Sequence, residues 1–444
     1  MIALTKLYYQ VETKTMRGEL MSKQKRNVRP WIVMICIGLI SAVCLGSSTV
    51  LMGSFLAPLS LSVHAEISTI SYYYTIVVLV MAVMMPNIPR ILQQVNNRVV
   101  YAVASVAVTV SLLLMPHFTS VWMFFLIALV IGVAISFMSF VPVGILLDNW
   151  FAEKGGLAVG LCWAITSVFQ GIMSPVLSKL ISVYGWQQAL TILAVIVAVI
   201  SIPCSLFGVD FTPSQEHRQP YGYVEGSQVE LETTETESVS NHAIFKSPAF
   251  WLLLVIIVLL QFPAVLNQMF PTYAATTHFS GAVGGFMVTA AMLFDIVLNP
   301  VIGWTCDKFG AERASLIWFS LAVVSYVLQI VATKSHSAGL AIFGAGINDV
   351  IYEYLGTGVT TIASAALGKR AFAKGFSYVS SIAFVIGAFA MPINNLIAEK
   401  AGSFIAVYGF FLVITLIILL LIALIARNHF EESQTKVSKR EALS

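Results

Sequence analysis

Apolar runs of about 20 residues recur along this whole chain, and nothing else in the sequence constrains the fold as tightly. Each run can cross ~30 Å of hydrocarbon as a helix rising about 1.5 Å per residue. Hydrocarbon offers backbone amides no water, so the chain must satisfy them internally, as helices or as a closed barrel. The runs are rich in Leu, Ile, Ala and Gly and lack the alternation of barrel strands, which leaves helices. Twelve are read, numbered here as spans 1 to 12: 31–57, 67–88, 99–116, 120–147, 157–178, 187–209, 248–272, 282–305, 314–333, 338–364, 375–398 and 402–426. Only 10% of the 444 residues are charged, against about 25% in a soluble protein, so a soluble enzyme or nucleic-acid-binding protein is not expected. The expectation is an all-α integral membrane protein of twelve transmembrane helices.

Charge orients the helices. Of the 24 Lys and Arg, all but Lys179, Lys334 and Lys400 fall on one side if the N-terminus is cytoplasmic. Positive charge is retained on the cytoplasmic side, so both termini are expected there, in a multi-pass protein of the cell membrane. An odd number of spans would scramble that pattern. The polar, basic residues 1–30 do not resemble a cleavable signal, because the apolar run behind them is too long and lacks a cleavage site. Met21 is an alternative start. The cysteines Cys36, Cys44, Cys162, Cys204 and Cys306 all lie within or at the end of a span and form no CxxC pair, so neither a disulfide framework nor a metal site is expected.

Residues 210–247 interrupt the apolar pattern with seven acids, Pro, Gly and a Thr/Ser run, and read as a solvated cytoplasmic tether. They separate segments 31–209 and 248–426, equal in length and holding six spans each, between tails at 1–30 and 427–444. Equal halves suggest an internal duplication. The loop Gly303-Trp-Thr-Cys-Asp307-Lys308-Phe-Gly310-Ala-Glu-Arg313 aligns with Pro89-Arg-Ile-Leu-Gln93-Gln94-Val-Asn96-Asn-Arg98. There Asn96 replaces Gly310 as the next-best residue for a left-handed turn. Phe151-Ala-Glu-Lys154-Gly155 and Phe372-Ala-Lys374-Gly375 echo each other at a similar offset.

Three acids lie inside apolar runs that contain no Lys or Arg: Asp295, Asp349 and Glu353. A carboxylate at mid-bilayer costs roughly 2.5–3.5 kcal/mol, so three in one half point to a wet cavity that binds a proton, a cation or a polar solute. Asp349 and Glu353 are one turn apart on one helix face, about 16 and 22 Å below residue 338 at about 1.5 Å per residue. Asp295 lies at a similar depth in span 8, with Asn299 one turn on. The seven histidines all fall in loops or tails. The run Tyr72-Tyr73-Tyr74 reads as packing or interface residues.

With its twelve spans and the Gly303, Asp307, Lys308, Gly310, Arg313 motif, the chain resembles the major facilitator superfamily over essentially its whole length. The segment Asn149 to Gly160, followed by Tyr184-Gly185-Trp186, is similar to the branch that holds monocarboxylate transporters and oxalate–formate exchangers. The resemblance implies two pseudo-symmetric six-helix bundles, a cavity lined by spans 1, 4, 7 and 10, and a cytoplasmic gate in which Asp307 faces a helix N-terminus. The first-half copy of that motif has Gln93 in place of Asp and Pro89 in place of Gly. Asn299 stands where monocarboxylate transporters carry an Arg that pairs with the substrate carboxylate.

The polar residues of those four spans complete the candidate site. Gln261 and Gln268, seven apart on span 7, share a face, and Pro263 and Pro271 are expected to kink that span. On span 10 Asn348 precedes Asp349. The resemblance implies a secondary transporter of a small organic solute working by alternating access. Protons are expected to drive it through Asp349, Glu353 or Asp295, with Asn299, Gln261, Gln268 and Asn348 as further binding candidates. The partners expected are that solute, protons and the lipid bilayer; no cofactor or metal is expected, and the protein is expected to be a monomer. Efflux of cationic or amphipathic drugs is a rival reading that suits an anionic site. A non-transporting membrane sensor is the rival from another class.

Overall fold

In the computed structural model residues 28–85, 87–151, 153–209, 219–222 and 241–441 are described, some of them, including Asn299, Asp307 and 368–374, in backbone alone. Nine helices among these residues are each long and apolar enough to cross a membrane. Pro248–Ala264 and Leu266–Thr276 make a tenth span bent by 40°. Spans 4 and 10 are assembled from shorter pieces. Span 4 is Val121–Ser136 followed by Phe140–Trp150. Span 10 is Ala338–Asn348, Val350–Glu353 and a π-helical turn, Tyr354–Gly358, leading into Val359–Gly387.

Spans 1, 2, 4, 7, 10 and 11 are broken in their interior, whereas spans 3, 5, 6, 8, 9 and 12 run straight through. A break leaves backbone groups that hydrocarbon cannot satisfy, and neighbouring side chains supply the partners. Tyr73 and Tyr74 donate to the carbonyls of Ser48 and Thr49 where span 1 opens, each at 3.1 Å. These tyrosines therefore act as hydrogen-bond donors as well as packing residues.

Two prolines follow one rule. A helical proline has no N–H for the carbonyl four residues earlier. Pro175 leaves Gly171, and Pro392 leaves Ala388. Each orphan carbonyl accepts a hydroxyl from another span: Thr289 to Gly171 at 2.6 Å and Thr75 to Ala388 at 2.7 Å. These two bonds join the two halves of the chain, across spans 5 and 8 and across spans 2 and 11. Within the first half, Ser41 donates to the Met138 carbonyl ahead of the helix Phe140–Trp150, at 3.0 Å. Thr75 and Thr289 are separated by the same number of positions as Gln93 and Asp307, the pair aligned from the loops.

Spans 2 and 11 are further joined by Asn395 donating to Ser71 at 2.7 Å, and by the Ser68 amide donating to Glu399 at 2.9 Å. Spans 1 and 7 touch backbone to backbone at Gly53, where a Cβ would sit 1.9 Å from the Gln268 carbonyl oxygen. These contacts lie toward the end of the molecule opposite the chain termini. A crevice of about 210 Å³ opens there, lined by Ile67, Thr272, Thr276, Asn395, Glu399 and Phe404 among others.

Four expectations from sequence differ from this picture. Asn96 is not left-handed: its φ is −64°, and its side chain accepts from the Arg98 amide at 3.0 Å. It caps the helix Asn97–Leu114, which an Asn can do without positive φ. Gly310 does adopt positive φ, +83°, between Gly281–Phe309 and Ala311–Ser335. The Lys154 and Lys374 loops do not correspond. Lys154 is left-handed at φ +66° ahead of a helix, whereas 365–374 is continuous helix, built from Ala, Leu, Lys and Arg. The segment 219–222 is docked rather than tethering freely: Tyr221 forms a backbone bridge with Phe151, and its ring stands 5.6 Å from Trp31. The remaining acidic stretch, 210–218 and 223–240, lies outside the described residues. Finally, the last helix, Phe404–Glu441, continues beyond span 12 through most of the expected tail.

Candidate functional site

Span 8 carries Asp295 midway along an unbroken helix. Asp349 occupies the break between the first two pieces of span 10, and Glu353 ends the second piece just before the π turn. The structure brings all three together: one carboxylate oxygen from each lies within 4.8 Å of the other two. Asp349 is fully buried, Glu353 is 5% exposed and Asp295 is half-buried. Two unit charges about 4 Å apart repel by about 4 kcal/mol at an effective dielectric of about 20. A cluster this tight therefore needs protons or a cation to neutralise it.

Two neutral side chains hold the acids in place. Ser167 of span 5 donates to Oδ2 of Asp295, reaching across from the first half of the chain. Asn267 of span 7 donates from Nδ2 to Oδ1 of Asp349 at 2.6 Å. Oδ2 of Asp349 and Oδ1 of Asn267 are both buried without a hydrogen-bond partner. The cluster thus joins spans 5, 7, 8 and 10.

The other candidates scatter. Asn348 faces span 9, accepting from Ser325 at 3.4 Å. Gln261 packs on span 11, where a Cβ on Gly387 would lie 2.7 Å from its Cγ. Gln268 offers its backbone to Gly53 of span 1. Asn299 sits one turn beyond Asp295, with its side chain outside the described residues. In the gate motif, Gly303 is half-buried and Arg313 exposed, Lys308 lies 4.5 Å over the Trp304 ring, and the Asp307 side chain is outside the described residues. Such a cation–π contact contributes about 0.5–1 kcal/mol when exposed.

Sequence reasoning missed Asn267 as the residue that touches an acid. Helical periodicity pointed to Gln261 and Gln268, but the bend after Pro263 resets the register, so a face assigned above the bend does not continue below it. Ser167 gave no signal, since a serine in an apolar helix is common. Glu399 lies one residue beyond the apolar run 375–398, so run length alone gives no sign that it accepts from the Ser68 amide of span 2.

Comparison with known proteins follows the same architecture. The Major Facilitator Superfamily profile matches residues 37–282 and 264–443. A curated relative, the uncharacterized MFS-type transporter YcxA of Bacillus subtilis (strain 168), is 25% identical over 160 residues, an alignment covering 36% of this chain and 39% of the relative. Among solved structures, the nucleoside transporter NupG superposes with a TM-score of 0.68 at 12% identity, covering 90% of this chain and 98% of that one. A bacterial homolog to the human lysosomal transporter Spinster, inward-facing and unoccupied, gives 0.66 at 13% identity over 90% and 96%. A POT family transporter in complex with 5-aminolevulinic acid gives 0.60 at 12% identity over 89% and 94%. At such identities the likeness concerns the fold.

Proposed function

The chain belongs to the major facilitator superfamily, and from that premise we propose that it moves a small organic solute in exchange for, or together with, protons through the acid cluster. Members are multi-pass secondary transporters rather than enzymes, so the energy comes from ion or solute gradients. The observation that carries the proton reading is the meeting of Asp295, Asp349 and Glu353 beside Ser167 of the opposite half. A change in the cluster's charge alters the partner of Ser167, and so the contact between halves. That links occupancy of the cluster to the rocking of one half against the other, which coupling requires.

In this reading both termini face the cytoplasm of a cell-membrane protein, as the Lys/Arg distribution favours. The seam formed by spans 2 and 11 then closes the outer side. The acids disfavour a free carboxylate as substrate, because no membrane Lys or Arg stands ready to pair with it and Asn299 occupies the position of the Arg in monocarboxylate transporters. The same lack of positive charge gives the second reading, efflux of cationic or amphipathic compounds, its support. A gain of resistance to lipophilic cations in expressing cells separates the two.

The test uses the purified full chain. A solute panel read by thermal shift at two pH values identifies a ligand, since a bound ligand stabilises the folded state. That ligand is then followed into proteoliposomes under an imposed pH gradient. Asp349→Asn is expected to abolish gradient-driven accumulation and to keep solute exchange; unchanged accumulation would sink the coupling role.

A further inference from the structure

We infer that the cluster of Asp295, Asp349 and Glu353 binds a hard cation of sodium or calcium size; the inference rests on the coupling role proposed above for the same acids. Spacing is the first ground. Oxygen ligands at about 2.3–2.6 Å from a cation lie on a sphere about 4.6–5.2 Å across. Three carboxylate oxygens within 4.8 Å of one another fit that sphere. Mg2+, ligated at about 2.0–2.1 Å, needs a tighter set. Donors that are all oxygen favour hard cations over zinc or copper.

The second ground is two oxygens without partners. Asn267 is 2% exposed, and its Nδ2 is fixed on Asp349, which holds its Oδ1 beside the cluster. That Oδ1 and Oδ2 of Asp349 are both buried and unpaired, a costly state for polar groups. A proton on Asp349 would make its Oδ2 a donor to that amide oxygen and neutralise one acid of the three. A cation beside Asp349 takes both oxygens as ligands. The set is then three carboxylates and an amide carbonyl, with Ser167 fixing the orientation of Asp295 from the opposite half.

Charge is the third ground. The membrane parts of spans 5, 7, 8 and 10 contain no Lys, Arg or His, and Tyr352 is the further titratable group facing the three acids. The negative charge of the acids is therefore left for a bound cation to neutralise.

The purified full chain is tested by melting temperature and by equilibrium binding of radioactive Na+ and Ca2+. Chloride salts of Na+, Ca2+, K+ and Mg2+ are compared with choline chloride at equal ionic strength, at pH 8 and pH 5.5. Saturable stabilisation by Na+ or Ca2+, lost in Glu353→Gln, is expected. Asn267→Leu is expected to weaken that binding by about tenfold, with its own melting temperature in choline as the baseline that separates ligand loss from misfolding. No cation effect beyond choline at either pH, or an effect retained in both variants, overturns the inference. Proton-driven uptake that persists in choline medium while no cation binds leaves the proton-coupling reading standing alone. Loss of both defeats the two together.

Discussion

Among the contacts that join the halves of this protein, the seam where span 5 meets span 8 and the seam where span 2 meets span 11 are built alike. In each, a proline strips a helix carbonyl of its N–H, and a threonine from the other half takes that carbonyl: Thr289 on Gly171 and Thr75 on Ala388. They differ in where the charge sits. The 5–8 seam brings Ser167 to Asp295 at mid-depth, inside the acid cluster. Shifting by the same threonine and proline offsets, the corresponding positions in the 2–11 seam are Phe384 and Met81, both apolar. The 2–11 seam carries its acid at the far end, where Glu399 accepts from the Ser68 amide at the start of Ile67–Ile70. The same fastening therefore stands beside a cluster of acids at mid-depth in one seam and beside a single acid at the end opposite the termini in the other.

The largest expected effect comes from removing the charge that distinguishes the seams. Asp295→Asn should lower gradient-driven uptake by tenfold or more, about 1.4 kcal/mol or above in coupling. Met81→Leu, the matched change in the other seam, should leave uptake within about twofold, as volume-conserving apolar swaps usually do. Equal losses from both would erase the functional difference between the seams.

Next in size are the fastenings. Thr289→Val and Thr75→Val each orphan a buried carbonyl, at a cost of about 1–3 kcal/mol apiece. Denaturant unfolding in detergent should return similar values for the two. Adding Pro175→Ala to Thr289→Val restores an N–H to the carbonyl of Gly171 and should recover much of the loss; a double variant no more stable than the single one would break the proline account.

The smallest effect is expected at the far end. A carboxylate at a helix N-terminus contributes about 0.3–1 kcal/mol when partly exposed. Glu399→Gln should therefore loosen the 2–11 seam slightly, seen as faster thiol labelling of a cysteine placed at Thr276 in the adjoining crevice. Labelling as slow as in the cysteine variant with Glu399 intact would remove Glu399 from the closure.

Much of this was readable along the chain. The apolar run length, the acids Asp295, Asp349 and Glu353 without local cations, the bend after Pro263 of span 7 and the turn at Gly310 are local properties, whereas Pro271 lies inside the continuous helix Leu266–Thr276. Each follows from helix rise, desolvation cost, a missing N–H or a missing Cβ. Two loop comparisons misled, because Asn96 caps a helix with its side chain and Lys374 lies in a stretch of helix formers. Local similarity of residue types does not impose similarity of backbone when a side chain or a neighbouring turn offers another way to satisfy it.

The sequence by itself determined that the chain must be a set of membrane-crossing helices, and that three carboxylates inside them needed a reason to be there. Tertiary structure alone decided what those carboxylates face. Asp295 joins Asp349 and Glu353 only because spans 8 and 10 pack side by side. Asn267, rather than its neighbour Gln268, reaches Asp349 because span 7 bends by 40° just before it. Ser167 arrives from the other half. Periodicity assigns a residue to one face of its own helix, whereas the identity of the opposing side chain depends on the crossing and bending of two helices, which no local pattern encodes.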